Sequence, residues 1–124
     1  MRAQGGGAIV NVSSVAGLIG FPGLGPYVAT KHGIIGLTKT AAMEHAQDHI
    51  RVNVVCPGLI DTAMADRFTG GPQTDVERFL ISLKPMRRRG ASAEVAEAIV
   101  WLCSDAASYV TGHSMVVDGG FMTI

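Results

Sequence analysis

Two short apolar runs, "AIVNVS" at residues 8–13 and "VNVVC" at residues 52–56, constrain the fold of this 124-residue chain more than any other feature. Each is rich in β-branched residues and bounded by turn formers, the first by Gly5, Gly6 and Gly7, the second by Pro57 and Gly58. Both read as strands buried on two faces. Between them, residues 27–47 carry helix formers with apolar side chains at Ile34, Leu37, Ala41 and Ala42, a helical rather than an alternating spacing. Strand, helix and strand within about 45 residues make a βαβ unit, whose two strands run parallel.

The alternation continues beyond it. Residues 92–103 predict a second helix, with Ser92 placed to cap its start and Val95, Ile99 and Leu102 sharing one face. A last strand follows at residues 114–117, inside "HSMVVDGG". Three strands alternating with helices give an α/β sheet. Residues 61–89 are less regular: a short helix from Asp61, a turn at "TGGPQT" and another short helix around residues 76–83. So long a segment between a strand and a helix reads as a lid or binding loop. No internal repeat or low-complexity tract is present.

Charge narrows the partners. Ten basic and ten acidic residues cancel, so no broad field attracts nucleic acid or an anionic membrane surface, and a small molecule or another protein is the expected partner. Apolar residues make up 48% of the chain and charged ones only 16%, which implies that part of the surface is covered. No apolar run approaches the roughly 18 to 20 residues of a membrane span, and the first residues lack a signal peptide's apolar core, so a cytoplasmic location is expected. Cys56 and Cys103 stand apart and read as free thiols. His32, His45, His49 and His113 show no pairing suited to a metal, and none is expected. Asn11 heads a glycosylation sequon that a buried strand makes accidental. Arg87, Arg88 and Arg89 read as a solvated turn, the lesser alternative being that one of them anchors the lid or a neighbouring subunit.

The stretch "PYVATKHG" sets Tyr27 and Lys31 four residues apart, on one helix face. A phenol is too weak an acid to exchange protons unaided at neutral pH. A nearby cation and the positive end of a helix both favour its ionised form, so Tyr27 is a candidate proton donor to a carbonyl oxygen, or acceptor from an alcohol. Taken alone, such a pair is more often a packed ring beside a snorkelling amine. Ser14 lies at the carboxyl end of the first strand, the edge of a parallel sheet where ligands bind, and its hydroxyl could hold the same substrate oxygen. Ser13 is its neighbour, and the residues alone leave the choice between them open.

"NVSS", "YVATK", "RVNVVCPGLIDT" and "VVDGG", in that order, resemble the short-chain dehydrogenase/reductase family. The resemblance implies a partial doubly wound, Rossmann-like parallel sheet, its last three strands with their flanking helices. Residues 1–124 would then be the carboxyl-terminal half of one such domain, without the glycine-rich amino-terminal half. "GLIGFPGLG" does not replace that half, since its glycines at 17, 20, 23 and 25 do not give the G-x-G-x-x-G order. By resemblance Ser14, favoured over Ser13 by the family spacing, polarises the carbonyl, Tyr27 is the general acid/base, and Lys31 assists the tyrosine and holds the nicotinamide ribose. Pro57, Gly58, Ile60 and Thr62 fall where the family meets the nicotinamide carboxamide and a nearby phosphate. The implied cofactor is NAD or NADP, the substrate a small carbonyl or alcohol, and the assembly a homo-oligomer, with small residues Gly33, Gly36, Ala41 and Ala42 permitting close helix packing. The competing reading is a catalytically silent α/β module that associates with itself or another subunit.

Overall fold

Strand β2 (Ile50–Pro57) is the middle strand of a three-stranded parallel sheet, between β1 (Gly7–Val12) and β3 (Ser114–Val117). The structure is a computed structural model and describes residues 1–123. Gly7 pairs with Ile50 and Val12 with Val55 on one side of β2, while Val54 pairs with Ser114 and Pro57 with Val117 on the other. Side chains alternate across β2, so one strand feeds two layers. Ile50, Val52, Val54 and Cys56 face helix α1 (Gly25–His45), packing against Ile35 and Ala42. Val55 faces the opposite layer, where Val95 and Leu102 of helix α4 (Ser92–Cys103) complete a cluster with Val10, Ile99 and Val117.

The two polar residues of β2 on that second face are both satisfied. Arg51 donates to the Leu102 and Ser104 carbonyls at 2.7 and 2.9 Å, groups that the end of α4 leaves without helical partners. Asn53, fully buried, donates to the Val110 carbonyl and accepts from the His113 N–H, which fixes the approach to β3.

Three expectations are corrected. Two-sided burial holds for β2 but not for β1, where Ile9 and Val12 are 38% and 47% exposed, because among the described residues β1 has a strand neighbour on one edge only. Helix α1 starts at Gly25 rather than residue 27. Pro26 fits the first turn, where no helical amide bond is lost, and Tyr27 stays in that turn. Ser92 does not cap α4: it lies inside the helix and its hydroxyl reaches the Asp61 carbonyl at 3.4 Å. The cap comes from the third helical position, where Glu94 accepts from the Ala91 N–H at 2.7 Å.

The irregular segment holds α2 (Ala63–Thr69) and α3 (Asp75–Ser82), joined through Gly70 and Gly71 at positive φ. Gly33 and Gly36 lie on the open outer side of α1, while Ala42 packs into the core. Among the described residues no helix is long and apolar enough to cross a membrane.

Candidate functional site

The carboxyl end of β1 and the first two turns of α1 are brought together by one tight turn. Ser13 is buried, and its hydroxyl donates to the Lys31 carbonyl at 2.8 Å. The 3-10 turn Val15–Gly17 then folds back against α1. Gly17 is required there, because a Cβ would fall 2.5 Å from Ser13 Oγ and 2.8 Å from both the Lys31 carbonyl oxygen and Ile35 Cδ1. Ser14 caps this turn, its Oγ accepting from the Ala16 N–H at 3.1 Å. Its own O–H donates to nothing among the described residues, so of the two serines Ser14 keeps a proton to offer.

Lys31 reaches back over the same corner. Its Nζ donates to the Val12 carbonyl at 3.4 Å and stands 5.5 Å from the centre of the Tyr27 ring. Tyr27 is 38% exposed, and its hydroxyl has no hydrogen-bond partner among the described residues. Ser14, Tyr27 and Lys31 thus lie around one corner of the fold, where the end of β1 meets the first two turns of α1. Behind them lies Cys56, fully buried at the end of β2. Burial pushes its thiol pKa up, against the opposing pull of the Ser14 N–H and the Lys31 charge.

Pro57 ends β2, and the Gly58 N–H donates to the Val117 carbonyl at 3.0 Å. Gly58 packs so closely on Asp118 that a Cβ would lie 2.9 Å from the Asp118 Cα. A parallel bridge then ties Ile60 to Gly90 through the Leu59 carbonyl and the Asp61 N–H, at 3.1 and 2.9 Å. The peptide groups of Ile60 itself therefore face away from Gly90. Its N–H has no partner among the described residues, and its carbonyl meets the Thr62 hydroxyl at 3.4 Å. Thr62 caps α2, accepting from the Ala65 N–H at 3.2 Å. The expected helix from Asp61 accordingly begins two residues later, at Ala63.

Two features depart from the leading sequence reading. Arg89 follows the lesser alternative, an anchor of the segment, and not a solvated turn: its side chain is 11% exposed and meets the carboxylates of Asp61, Asp66 and Glu77. "RRR" gave no sign of which arginine turns inward, since the three carboxylates lie 12 to 28 residues away. Phe21, in the loop before α1, stacks on Phe121 with ring centres 6.2 Å apart, and Lys84 lies 5.8 Å above the Phe121 ring. The turn after β3 therefore reaches both the loop preceding Tyr27 and the end of the irregular segment at Lys84.

A family sequence model described as enoyl-(acyl carrier protein) reductase matches residues 1–122. A cyclohexanol dehydrogenase of Acinetobacter sp. is 48% identical over 119 residues, covering 96% of this chain and 45% of that protein. A 3-oxoacyl-(acyl-carrier-protein) reductase of Thermotoga maritima is 47% identical over 122 residues, covering 98% and 48%. Among solved structures, ElxO with NADP bound superposes with a TM-score of 0.89 at 39% identity, over 100% of this chain and 50% of that one. An acetoin dehydrogenase from Salmonella typhimurium gives 0.81 at 40% identity, over 99% and 46%. The chain spans about half the length of the curated relatives it matches. The parallel sheet, the corner shared by Ser14, Tyr27 and Lys31, and a family match over nearly every residue agree: the chain belongs to the short-chain dehydrogenase/reductase family.

Proposed function

We propose that this chain forms the proton-transfer and nicotinamide-facing half of an oxidoreductase that moves a hydride between NAD or NADP and a small carbonyl or alcohol. On this reading residues 1–124 act as the carboxyl-terminal half of a dinucleotide-binding domain. The observation that carries it is the corner in which Lys31 Nζ stands 5.5 Å from the Tyr27 ring while the phenol and the Ser14 hydroxyl keep free hydrogen-bonding capacity. The donor set suits the cofactor's nicotinamide end. The outward N–H of Ile60 suits a carboxamide oxygen, the Thr62 hydroxyl at the start of α2 suits a phosphate, and the Lys31 ammonium suits ribose hydroxyls. Pro57 and Gly58 set the direction in which the chain leaves β2 toward Ile60. The family's structural neighbours with NADP bound support the cofactor class.

Bound nicotinamide supplies or accepts the hydride. The protein's own work is orientation and proton transfer. Ser14 donates to the substrate oxygen and holds it beside Tyr27, which gives that oxygen a proton in reduction and removes it in oxidation. Lys31, its Nζ 5.5 Å from the centre of the Tyr27 ring, sets its ammonium beside the same substrate oxygen and within reach of the ribose hydroxyls.

The test is a pair of variants in this chain complemented with the amino-terminal half of a relative such as the cyclohexanol dehydrogenase. Tyr27→Phe keeps the ring and removes the proton carrier, so turnover falls about 10²- to 10⁴-fold while cofactor affinity stays nearly constant. Lys31→Met lowers both turnover and cofactor affinity, because the ammonium serves both. Steady-state kinetics with cofactor titration separates the two. If Tyr27→Phe retains more than about a tenth of the wild-type rate, the proton-transfer role fails.

A further inference from the structure

The lid segment is attached to the body in an unusual way. Neither α2 nor α3 contributes a side chain to the three hydrophobic clusters of the core. Four of their large apolar residues face outward, Met64 63%, Phe68 49%, Val76 51% and Phe79 61% exposed, while Leu80 and Ile81 are half-buried. Besides Ala65, the residues these helices bury fully are polar, Thr69 and Glu77, and both meet one side chain. Arg89 Nη1 lies 3.2 Å from Asp61 at the neck of the segment and 2.7 Å from Asp66 on α2. Its Nε lies 2.5 Å from Glu77 on α3, whose side chain is only 8% exposed. Nη2 adds the Thr69 hydroxyl at 3.4 Å. Glu77 is itself fixed: its other oxygen accepts from the Gln73 N–H, and its own N–H is capped by Thr74 at 3.2 Å. A planar guanidinium presents five donors in a fixed fork, enough to meet three carboxylates from one side chain. Arg88, next in the chain, is about half exposed, and its ion pair is with Glu94 on α4 rather than with the lid.

We propose that Arg89 is a positioning residue, an ionic latch that holds α2 and α3 against the body and thereby sets the geometry of residues 60–62. The link to those residues is direct. Asp61, bound by the latch, lies between Ile60 and Thr62, and Asp66 lies one turn beyond the Thr62 cap. Its kinetic consequence rests on the oxidoreductase reading; its structural consequence does not.

Hydrogen exchange on the chain as it stands tests the latch, comparing wild type with Arg89→Met, Arg88→Gln and the double variant Arg89→Met/Glu77→Gln. The double variant removes the buried carboxylate that Arg89→Met alone would strand, so a folding failure of the single variant does not decide the matter. In the Arg89 variants the amides of α2 and α3 exchange about tenfold faster or more, those of β2 stay unchanged, and Arg88→Gln leaves the lid as it was. In the complemented enzyme, the Arg89 variants raise the cofactor KM about tenfold with kcat within about twofold. Unchanged lid exchange overturns the latch, and faster lid exchange with an unchanged cofactor KM overturns its positioning role. A wild-type complemented protein that turns over no carbonyl or alcohol sinks the oxidoreductase reading instead, and exchange alone then decides the latch.

Discussion

Ser13 and Ser14 carry the same side chain and meet opposite environments. The first is buried and spends its hydroxyl on the Lys31 carbonyl, while the second accepts from the Ala16 N–H and keeps its proton. The strand's alternation explains the division, because consecutive residues point to opposite faces and only one of them can face α1. The contact between β1 and the Lys31 turn depends on Gly17 having no side chain. Gly17→Ala would place a methyl 2.5 Å from Ser13 Oγ and 2.8 Å from the Lys31 carbonyl oxygen, and the latter, as backbone, cannot swing aside. We expect a loss of about 1 to 3 kcal/mol in chemical denaturation, the usual cost of overpacking. A variant as stable as wild type would mean that the turn and α1 are not in such close register.

At the scale of elements, the start of α4 is held by charge. Arg88 meets Glu94 through both nitrogens, at 2.6 and 2.8 Å, and Glu94 accepts from the Ala91 N–H as well. The Arg88 guanidinium, followed by that N–H, holds the Glu94 carboxyl at about 2, against an ordinary 4.5. A carboxylate whose folded pKa is depressed stabilises the fold above its unfolded value and loses that contribution as pH falls. The contribution is therefore complete above about 4.5 and vanishes as pH drops through about 2. Glu94→Gln should lower stability at neutral pH, where the contribution is complete, and should flatten the loss of stability between about 4.5 and 2 in chemical denaturation across pH; a pH dependence identical to wild type between those values would contradict the cap. The sequence showed where α4 lies but named Ser92 as its cap, since Ser is the common N-cap and a side chain reaching back from the third position is visible only once Arg88 is folded beside it. For the same reason β2 was legible as a doubly buried strand while β1 was misread. The residues of a strand do not say whether both of its edges have neighbours.

For the whole molecule, the order of strands and helices was legible because hydrophobic period and turn residues are local, and so was the pairing of Tyr27 with Lys31, which one helical turn ensures. That one of the three arginines could anchor the segment was a lesser alternative, but which one was not legible, because Asp61, Asp66 and Glu77 reach Arg89 only through the folding of the segment between them. Nor was the stack of Phe21 on Phe121, residues a hundred positions apart. On the proposed reading this fold carries one half of a dinucleotide site, with the ammonium of Lys31 and the amide of Ile60 at the nicotinamide end. The direct measurement is a fluorescence titration of reduced nicotinamide cofactor, which needs no knowledge of the substrate, into the chain alone and into the chain mixed with a relative's amino-terminal half. The prediction is a dissociation constant weaker than about 10 μM, some 7 kcal/mol of binding, for the chain alone, and tighter binding for the mixture that Lys31→Met weakens. Binding tighter than about 10 μM by the chain alone, or a mixture that binds no better than its parts, would contradict it.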